Sequence, residues 1–270
     1  MTHPLFDLTD RVALVSGAAS GMGRATAIGL AEVGANLLLA DINEAGMAQT
    51  AAEIEQLGRK AVPVCCDVGK PEQIDAMFER LDQEYGRIDA VCNIAGEGVR
   101  ADPLTVTQEQ LLYSMQNLVF GRYYICQQAG KRMIAQGKGS IMNIVSIGGI
   151  NSLGRSHAPY GMAMAAVAQM TRELSTEWAS RGVRVNAVVC AQVENAGLRE
   201  RMDADPNLRD AYLRGLPIGR LGKPEEIKGV AIFLASDAAS FVTGALLPLD
   251  GGNLAKNAGG THPGMPGETK

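Results

Sequence analysis

The sequence predicts an α/β fold: a doubly wound (Rossmann) seven-stranded parallel sheet with helices on both faces. Short apolar runs alternate along the chain with longer segments of helical periodicity, which is typical of βαβ units. Aromatic residues make up only 4% of the chain and glycine is abundant, which favours closely packed helices on a sheet over an aromatic-rich β-sandwich. Because no linker-like stretch interrupts the 270 residues before the tail, we predict a single domain over residues 1–252.

Seven apolar runs are predicted to form the strands. They are short and continuously hydrophobic, as expected for parallel strands that are covered on both faces. In chain order they are Arg11–Ser16, Asn36–Asp41, Ala61–Asp67, Ala90–Asn93, Ser140–Ser146, Arg184–Val189 and Leu246–Leu249.

The segments between these strands are predicted to be helices. Pro71 and Pro224 are each followed by glutamate, and proline and acidic residues are favoured in the first turn of a helix. In chain order the predicted helices are Gly23–Val33, Glu44–Leu57, Pro71–Tyr85, Gln108–Ala135, Ala158–Arg181, Leu198–Arg214 and Pro224–Ala235.

The end of the chain differs in composition from the rest. Residues 253–270 contain mainly Gly, Pro, Asn and Thr with little apolar content, which cannot offset the entropy of ordering. We predict a flexible tail there, or an arm that orders against a neighbouring chain.

Charge and hydropathy limit the function classes. The net charge of −4 leaves no basic stripe, so a nucleic-acid partner is not expected. The first ten residues lack the basic start and apolar run of a signal peptide, and no apolar stretch approaches the ~18 to 20 residues of a membrane span. We therefore expect a cytoplasmic protein that binds a small molecule, with no membrane partner.

The five cysteines are predicted to be reduced thiols. Their number is odd, they show no C-x-x-C spacing, and four of them lie in apolar runs. They are Cys65, Cys66, Cys92, Cys126 and Cys190. No metal site is predicted.

A glycine-rich loop follows the first strand and opens the first helix. This context predicts a dinucleotide site: one glycine permits the tight turn, the next lets backbone approach a pyrophosphate, and the third lets the helix pack closely. The loop residues expected to bind the cofactor are Ser16, Gly17, Ser20, Gly21, Met22 and Gly23.

Asp41 ends the second strand, 18 residues after Gly23, followed by Ile42. A carboxylate at this position accepts hydrogen bonds from the adenosine ribose hydroxyls and repels a 2′-phosphate. Ser20 before Gly21 adds no basic group that would favour the phosphate. The predicted cofactor is therefore NAD and not NADP.

Further motifs extend this pattern along most of the chain. With the glycine loop, they resemble the classical short-chain dehydrogenase/reductase family over roughly residues 6 to 252. The motifs are Asp67-Val68, Asn93-Ile94-Ala95-Gly96, Ser146, Tyr160, Pro217-Ile218-Gly219-Arg220-Leu221-Gly222-Lys223-Pro224-Glu225, Phe233-Leu234-Ala235-Ser236-Asp237 and Asp250-Gly251-Gly252.

The resemblance implies hydride transfer at the nicotinamide and assigns roles to individual residues. Tyr160 would transfer the hydroxyl proton, Ser146 would orient the substrate oxygen and Asn117 would hold a water of the proton relay. Around the cofactor it implies Asp67 and Val68 at the adenine edge, and a turn containing Asn93, Ala95 and Gly96.

The sequence departs from the family pattern around the nicotinamide. Met164 stands four residues after Tyr160, where the family has the lysine that lowers the pKa of the tyrosine and holds the ribose. Arg155 and His157 are the nearest possible substitutes in sequence. After the sixth strand, Cys190 and Ala191 replace the proline and glycine of the family. Asn195 stands where the family has a threonine that binds the carboxamide. In this loop, Val193 and Asn195 are the predicted cofactor contacts.

Three functions remain open from the sequence. The first is an NAD-dependent oxidoreductase of a secondary alcohol or ketone with an atypical active site. The second is a catalytically silent subunit or NAD-binding scaffold paired with an active paralogue, and the third is a lyase or dehydratase that reuses the cleft. Because relatives associate through the two long helices, we expect a homotetramer or homodimer, or a heteromer with such a paralogue.

Overall fold

The computed structural model describes residues 3–256, 262 and 265. Its seven strands form one parallel sheet in the order β3-β2-β1-β4-β5-β6-β7. This order confirms the predicted doubly wound fold class. The strands are β1 (Val12–Ser16), β2 (Asn36–Asp41), β3 (Ala61–Cys65), β4 (Ala90–Asn93), β5 (Gly139–Ser146), β6 (Val183–Cys190) and β7 (Leu246–Leu249).

Helices cover both faces of the sheet and enclose two apolar cores. One core lies between the sheet and α3, α5 and α6, and the other between the sheet and α1, α2 and α9. The nine α-helices of the described residues are α1 (Gly21–Glu32), α2 (Glu44–Gln56), α3 (Pro71–Tyr85), α4 (Gln108–Met115), α5 (Gly121–Gln136), α6 (Ala158–Trp178), α7 (Ala196–Ala204), α8 (Pro206–Leu213) and α9 (Ile227–Ala235).

Two of the predicted helices are interrupted. The predicted helix Gln108–Ala135 contains a π-helical turn, Gln116–Phe120, between α4 and α5. The predicted helix Leu198–Arg214 is divided at Pro206, which lacks a backbone N–H, and Asp205 caps the new helix by accepting from Asn207 N at 3.0 Å. The single-helix predictions for both segments are therefore wrong.

The sheet order places a crevice at the carboxyl ends of the strands. In the sheet, β2 and β3 lie on one side of β1, and β4 to β7 lie on the other. The loops after β1 and β4 therefore diverge. Ligands of doubly wound sheets bind at such a switch point. The loops that carry most of the predicted site residues therefore meet at one edge.

Only the start of the predicted tail lies within the described residues. Asn253 Nδ2 donates to Gly215 O at 2.5 Å, and Leu254 N donates to Asp250 Oδ2 at 2.8 Å. Asn253 and Leu254 are thus hydrogen-bonded to the domain, while most of the predicted tail falls outside the described residues. The division of the chain at residue 252 stays a prediction.

The described part of the chain offers neither a membrane-spanning helix nor a metal cluster. None of its helices has the length and hydropathy needed to cross a bilayer. No group of three or more His, Cys, Asp or Glu side chains there has the geometry to hold a metal ion.

Candidate functional site

Two adjoining pockets occupy the carboxyl edge of the sheet. The first, here called the β1–β4 pocket, contains these predicted residues: Gly17, Ser20, Gly21, Met22, Gly23, Asp41, Ile42, Asp67, Val68, Ala95, Gly96, Asn117 and Asn195. The second, the Tyr160 pocket, is lined by Ser146, Tyr160 and Val193 among others, and it shares Gly21, Met22, Gly96, Glu97 and Asn195 with the first. The two pockets are therefore continuous.

The glycine loop has the geometry of a phosphate-binding turn. Gly17 and Gly21 have φ angles of 75° and 53°, which favour glycine. A Cβ added to Gly23 would lie 1.9 Å from Gly17 O, so α1 crosses the loop too closely for any side chain. Ser20 makes no side-chain cap on α1, which leaves the first N–H groups of the helix directed at the pocket.

Substitution Gly23→Ala is expected to distort this loop. The added methyl group must displace the carbonyl of Gly17, which should lower the free energy of unfolding by about 1–3 kcal/mol and weaken dinucleotide binding. Urea denaturation and calorimetric titration measure the two effects. The matched control is Gly229→Ala in α9, where a Cβ meets nothing within 4 Å; it should raise stability by about 0.5–1 kcal/mol. Equal losses in the two variants would contradict this account.

Acidic side chains mark the other end of the β1–β4 pocket. Asp41 accepts hydrogen bonds from Ala19 N and Asn43 N, each at 3.0 Å, through different carboxylate oxygens. Asp67 accepts from Gly69 N at 2.9 Å. Both carboxylates are held by backbone, and Asp41 retains lone pairs that can accept from vicinal hydroxyls.

Two predicted cofactor residues line neither pocket. Ser16 is buried and its hydroxyl accepts from Ile94 N at 3.0 Å and Ala95 N at 3.2 Å. Asn93 is also buried, and its amide donates to Asn143 Oδ1 at 3.0 Å. These side chains tie β1, β4 and β5 together behind the site, so the structure does not support the expectation that they reach a ligand directly.

Ser146 and Tyr160 are brought together by the end of β5 and the start of α6. Burial raises the pKa of Tyr160, while the neighbouring Ser146 hydroxyl and the charge of Arg122 oppose that rise and the nearby Cys190 adds to it. The net effect is a pKa above the ordinary value of a phenol. Tyr160 therefore carries its proton at neutral pH in the free protein, next to a hydroxyl that can share a substrate oxygen.

Asn117 is placed away from this pair. It lies in the π-helical turn, and its amide donates to Tyr113 O at 3.0 Å. A Cβ added to Gly69 would lie 3.1 Å from Asn117 Oδ1, and one added to Gly96 would lie 2.6 Å from Asn117 O. The side chain thus faces the β1–β4 pocket, while its carbonyl lies close to the turn after β4.

The loop after β6 uses its side chains for its own fold. Asn195 Oδ1 accepts from Leu198 N at 2.8 Å and caps α7, and its amide donates to Val193 O at 3.2 Å. Val193 pairs with Gly222 in an isolated bridge. Both residues line the Tyr160 pocket, but the amide of Asn195 is already engaged.

Met164 is a core residue in this structure. Its side chain is 1% exposed, packs in the apolar core under α6 and lines neither pocket. Arg155 and His157, the candidate replacements for the missing lysine, line the Tyr160 pocket. The guanidinium of Arg155 lies 5.5 Å from the ring centroid of Tyr212, and His157 Nδ1 lies 2.8 Å from Gly154 O. Neither occupies the position of the Met164 side chain.

Sequence reasoning missed Arg122, which is buried behind both pockets. The signal was available: Arg122 precedes Ile125 and Cys126 by three and four residues, so it shares their helix face. A charged residue on an apolar helix face is uncommon unless it has a specific role.

The chain matches known proteins over most of its length. The family model described as enoyl-(acyl carrier protein) reductase matches residues 17–253. The 3-oxoacyl-(acyl-carrier-protein) reductase FabG of Thermotoga maritima is 36% identical, over 91% of this chain and 98% of that protein.

Solved structures give the same result. A short-chain type dehydrogenase/reductase from Mycobacterium marinum matches with a TM-score of 0.85 at 30% identity, over 93% of this chain and 98% of that chain. A gluconate 5-dehydrogenase from Burkholderia cenocepacia, in complex with NADP and tartrate, matches with a TM-score of 0.88 at 31% identity, over 94% of this chain and 99% of that chain.

Proposed function

Because this chain belongs to the classical short-chain dehydrogenase/reductase family, we propose that it is an NAD-dependent oxidoreductase of a secondary alcohol or ketone, with an atypical active site. The coarser conclusion, an oxidoreductase of alcohols or ketones that uses a nicotinamide dinucleotide, follows from the family. The single observation that carries the finer proposal is that Ser146 and Tyr160 lie together in a pocket continuous with the glycine loop.

The residues of the β1–β4 pocket fit a dinucleotide. The open first turn of α1 and the backbone beside Gly21 suit a pyrophosphate, since no atom lies within 4 Å of a Cβ added at Gly21. Asp41 suits the adenosine ribose. When bound, the nicotinamide supplies or accepts the hydride at the substrate carbon.

The chain's own residues handle the proton. In ketone reduction, Tyr160 donates its phenolic proton to the carbonyl oxygen, while Ser146 donates a hydrogen bond to the same oxygen and holds it in place. In alcohol oxidation the direction reverses, and an ionised Tyr160 accepts the hydroxyl proton. Because burial keeps the pKa of Tyr160 above its ordinary value, oxidation should increase towards alkaline pH.

Cofactor preference is tested with Asp41→Asn, which keeps the shape of the side chain and removes its charge. The native chain should bind NAD more tightly than NADP. The variant should lose about tenfold or more in NAD affinity, because hydrogen bonds to charged groups contribute about 1.5–3 kcal/mol, and it should gain affinity for NADP. Calorimetric titration of both nucleotides measures the change.

The control is Glu44→Gln, which removes the same charge from α2 at a residue outside both pockets. It should leave both affinities unchanged. A native chain that binds NADP as tightly as NAD would refute the NAD proposal while leaving the oxidoreductase proposal intact.

Activity is tested by alcohol-dependent NADH formation with a panel of polyols, sugar acids and cyclic secondary alcohols. Turnover of any member supports the oxidoreductase proposal. The buried Met164 favours the second candidate, a catalytically silent subunit or scaffold paired with an active paralogue. Tight NAD binding without turnover across the panel would support that candidate.

A further inference from the structure

Arg122 is a buried cation behind the active-site wall. Its side chain, 3% exposed, projects from the first turn of α5 to the ends of β4 and β5. Nε donates to Ala95 O at 3.2 Å, Nη2 to Ala95 O at 3.1 Å and to Ile94 O at 3.3 Å, and Nη1 to Ile144 O. Ala95 lines the β1–β4 pocket and Ile144 lines the Tyr160 pocket, so the guanidinium lies behind the wall of both.

In the described part of the chain, no acid neutralises the charge of Arg122. Among the residues that the structure describes, no carboxylate lies within 4.0 Å of its guanidinium nitrogens. Burial lowers the pKa of Arg122 to about 10, which still leaves it protonated at neutral pH. Backbone carbonyls alone satisfy its donors, and an uncompensated buried cation costs stability unless an anion forms beside it.

The ionisable group that the charge of Arg122 reaches at the active site is Tyr160. Besides burial and the Ser146 hydroxyl, the pKa of Tyr160 is affected by the charge of Arg122 from α5, which lowers it, and by Cys190 from β6, which raises it. The ring of His157 meets that of Tyr160 edge-on, with centroids 6.3 Å apart. The other charged residues of the pocket are Glu97, Arg100, Arg155, Glu194, Glu200 and Arg201.

We infer that Arg122 is a positioning residue that supplies, from α5, the positive charge favouring ionisation of Tyr160, in place of a cation at position 164 on α6. The inference rests on the proposed function only for its catalytic consequence, the transfer of a proton between Tyr160 and the substrate. A buried guanidinium without a carboxylate partner among the described residues stabilises the phenolate form of Tyr160, which is the base that alcohol oxidation requires. It also explains how the side chain at position 164 can be apolar and fully packed.

The test measures the ionisation of position 160 directly, in the full-length protein without cofactor or substrate. Difluorotyrosine replaces Tyr160 alone; its fluorines lower the phenol pKa towards neutral, and fluorine NMR reports the ionised fraction. Arg122→Met should raise the pKa of this residue by about one unit or more, because one close cation is worth about 1–3 units. Arg122→Lys, which keeps the charge, should leave the pKa of this residue close to its value in the protein with Arg122.

Two further variants separate charge from structure. Arg122→Gln is a second neutral variant that retains an amide donor for the carbonyls, and it should give the same rise even where Arg122→Met does not fold. Arg184→Met is the matched control, because Arg184 also donates to backbone carbonyls, Leu234 O at 2.8 Å and Ser236 O at 3.1 Å, on α9 and the turn after it. It should leave the pKa at position 160 unchanged.

An unchanged pKa in the neutral Arg122 variants, or the same rise in Arg122→Lys as in Arg122→Gln, would overturn the inference, because the effect would then not follow charge. The result is independent of turnover. A chain that oxidises no alcohol but shows the charge dependence would refute the proposed function and leave the role of Arg122 standing. In an active enzyme, the alkaline limb of the oxidation profile should move with the same variants.

Discussion

Tyr160→Phe is expected to reduce turnover by about 10²- to 10⁴-fold, the range that a positioned acid or base contributes. The phenolic oxygen lies beside the Ser146 hydroxyl and is the group proposed to exchange the proton, and phenylalanine removes it while keeping the ring. Affinity for NAD should change little. Steady-state kinetics with NADH formation, together with calorimetric titration of NAD, measure both quantities.

The native chain and Tyr160→Phe are expected to differ in the pH dependence of turnover. Ketone reduction needs protonated Tyr160, so in the native chain it should fall as pH rises through the pKa of Tyr160, which burial raises above its ordinary value. Alcohol oxidation should rise over the same range. Both dependences should flatten in Tyr160→Phe, because the titrating group has been removed.

Tyr212→Phe is the matched control, since Tyr212 also lines the Tyr160 pocket. Its ring, which lies under the guanidinium of Arg155, is retained in the variant. Turnover should stay within a few-fold of the native value. If the two variants lose turnover equally, the loss reflects pocket shape, and Tyr160 is not the acid.

The fold and the glycine loop could be predicted because they depend on local sequence rules. Continuous apolar runs such as Asn36–Asp41 and Ala90–Asn93 became strands with the predicted bounds. The close approach of Gly23 to Gly17 follows from the strand-loop-helix context of the glycines. By contrast, the π-helical turn depends on long-range packing: a Cβ added to Gly121 would lie 1.9 Å from Val68 O, an approach between segments far apart in sequence.

The site was harder to predict because side-chain direction depends on tertiary contacts. Asn93 and Ser16 have the right sequence positions, yet both side chains bond to neighbouring strands. Arg122 is distant from Tyr160 in sequence, unlike Arg155 and His157, so sequence proximity to Tyr160 does not identify it. The charge that reaches Tyr160 comes instead from another helix.

Met164→Lys is expected to destabilise the protein and to give no gain in turnover. Met164 is packed in the apolar core and lines neither pocket, so a lysine there must bury its ammonium or disturb its neighbours. An uncompensated buried charge costs about 3–5 kcal/mol. Urea denaturation measures the loss, and the alcohol-dependent assay measures turnover.

The loss should depend on pH with a defined sign. Burial depresses the pKa of a lysine below its unfolded value of about 10.4, so between the folded and the unfolded pKa the unfolded chain binds more protons than the folded chain. The free energy of unfolding of Met164→Lys should therefore rise with pH until the unfolded lysine also loses its proton. The control is Met162→Lys on the same helix, where the methionine is 59% exposed; it should show neither the loss nor the pH dependence.

The same variant distinguishes two explanations of the methionine. If Arg122 on α5 already supplies the charge that favours ionisation of Tyr160, a second cation at position 164 should lower the free energy of unfolding without raising turnover. A stable Met164→Lys protein whose turnover rises by tenfold, equivalent to about one pKa unit of Tyr160, would mean that Arg122 does not do so. The methionine would then mark a disabled dehydrogenase site, which fits a silent subunit better than an enzyme.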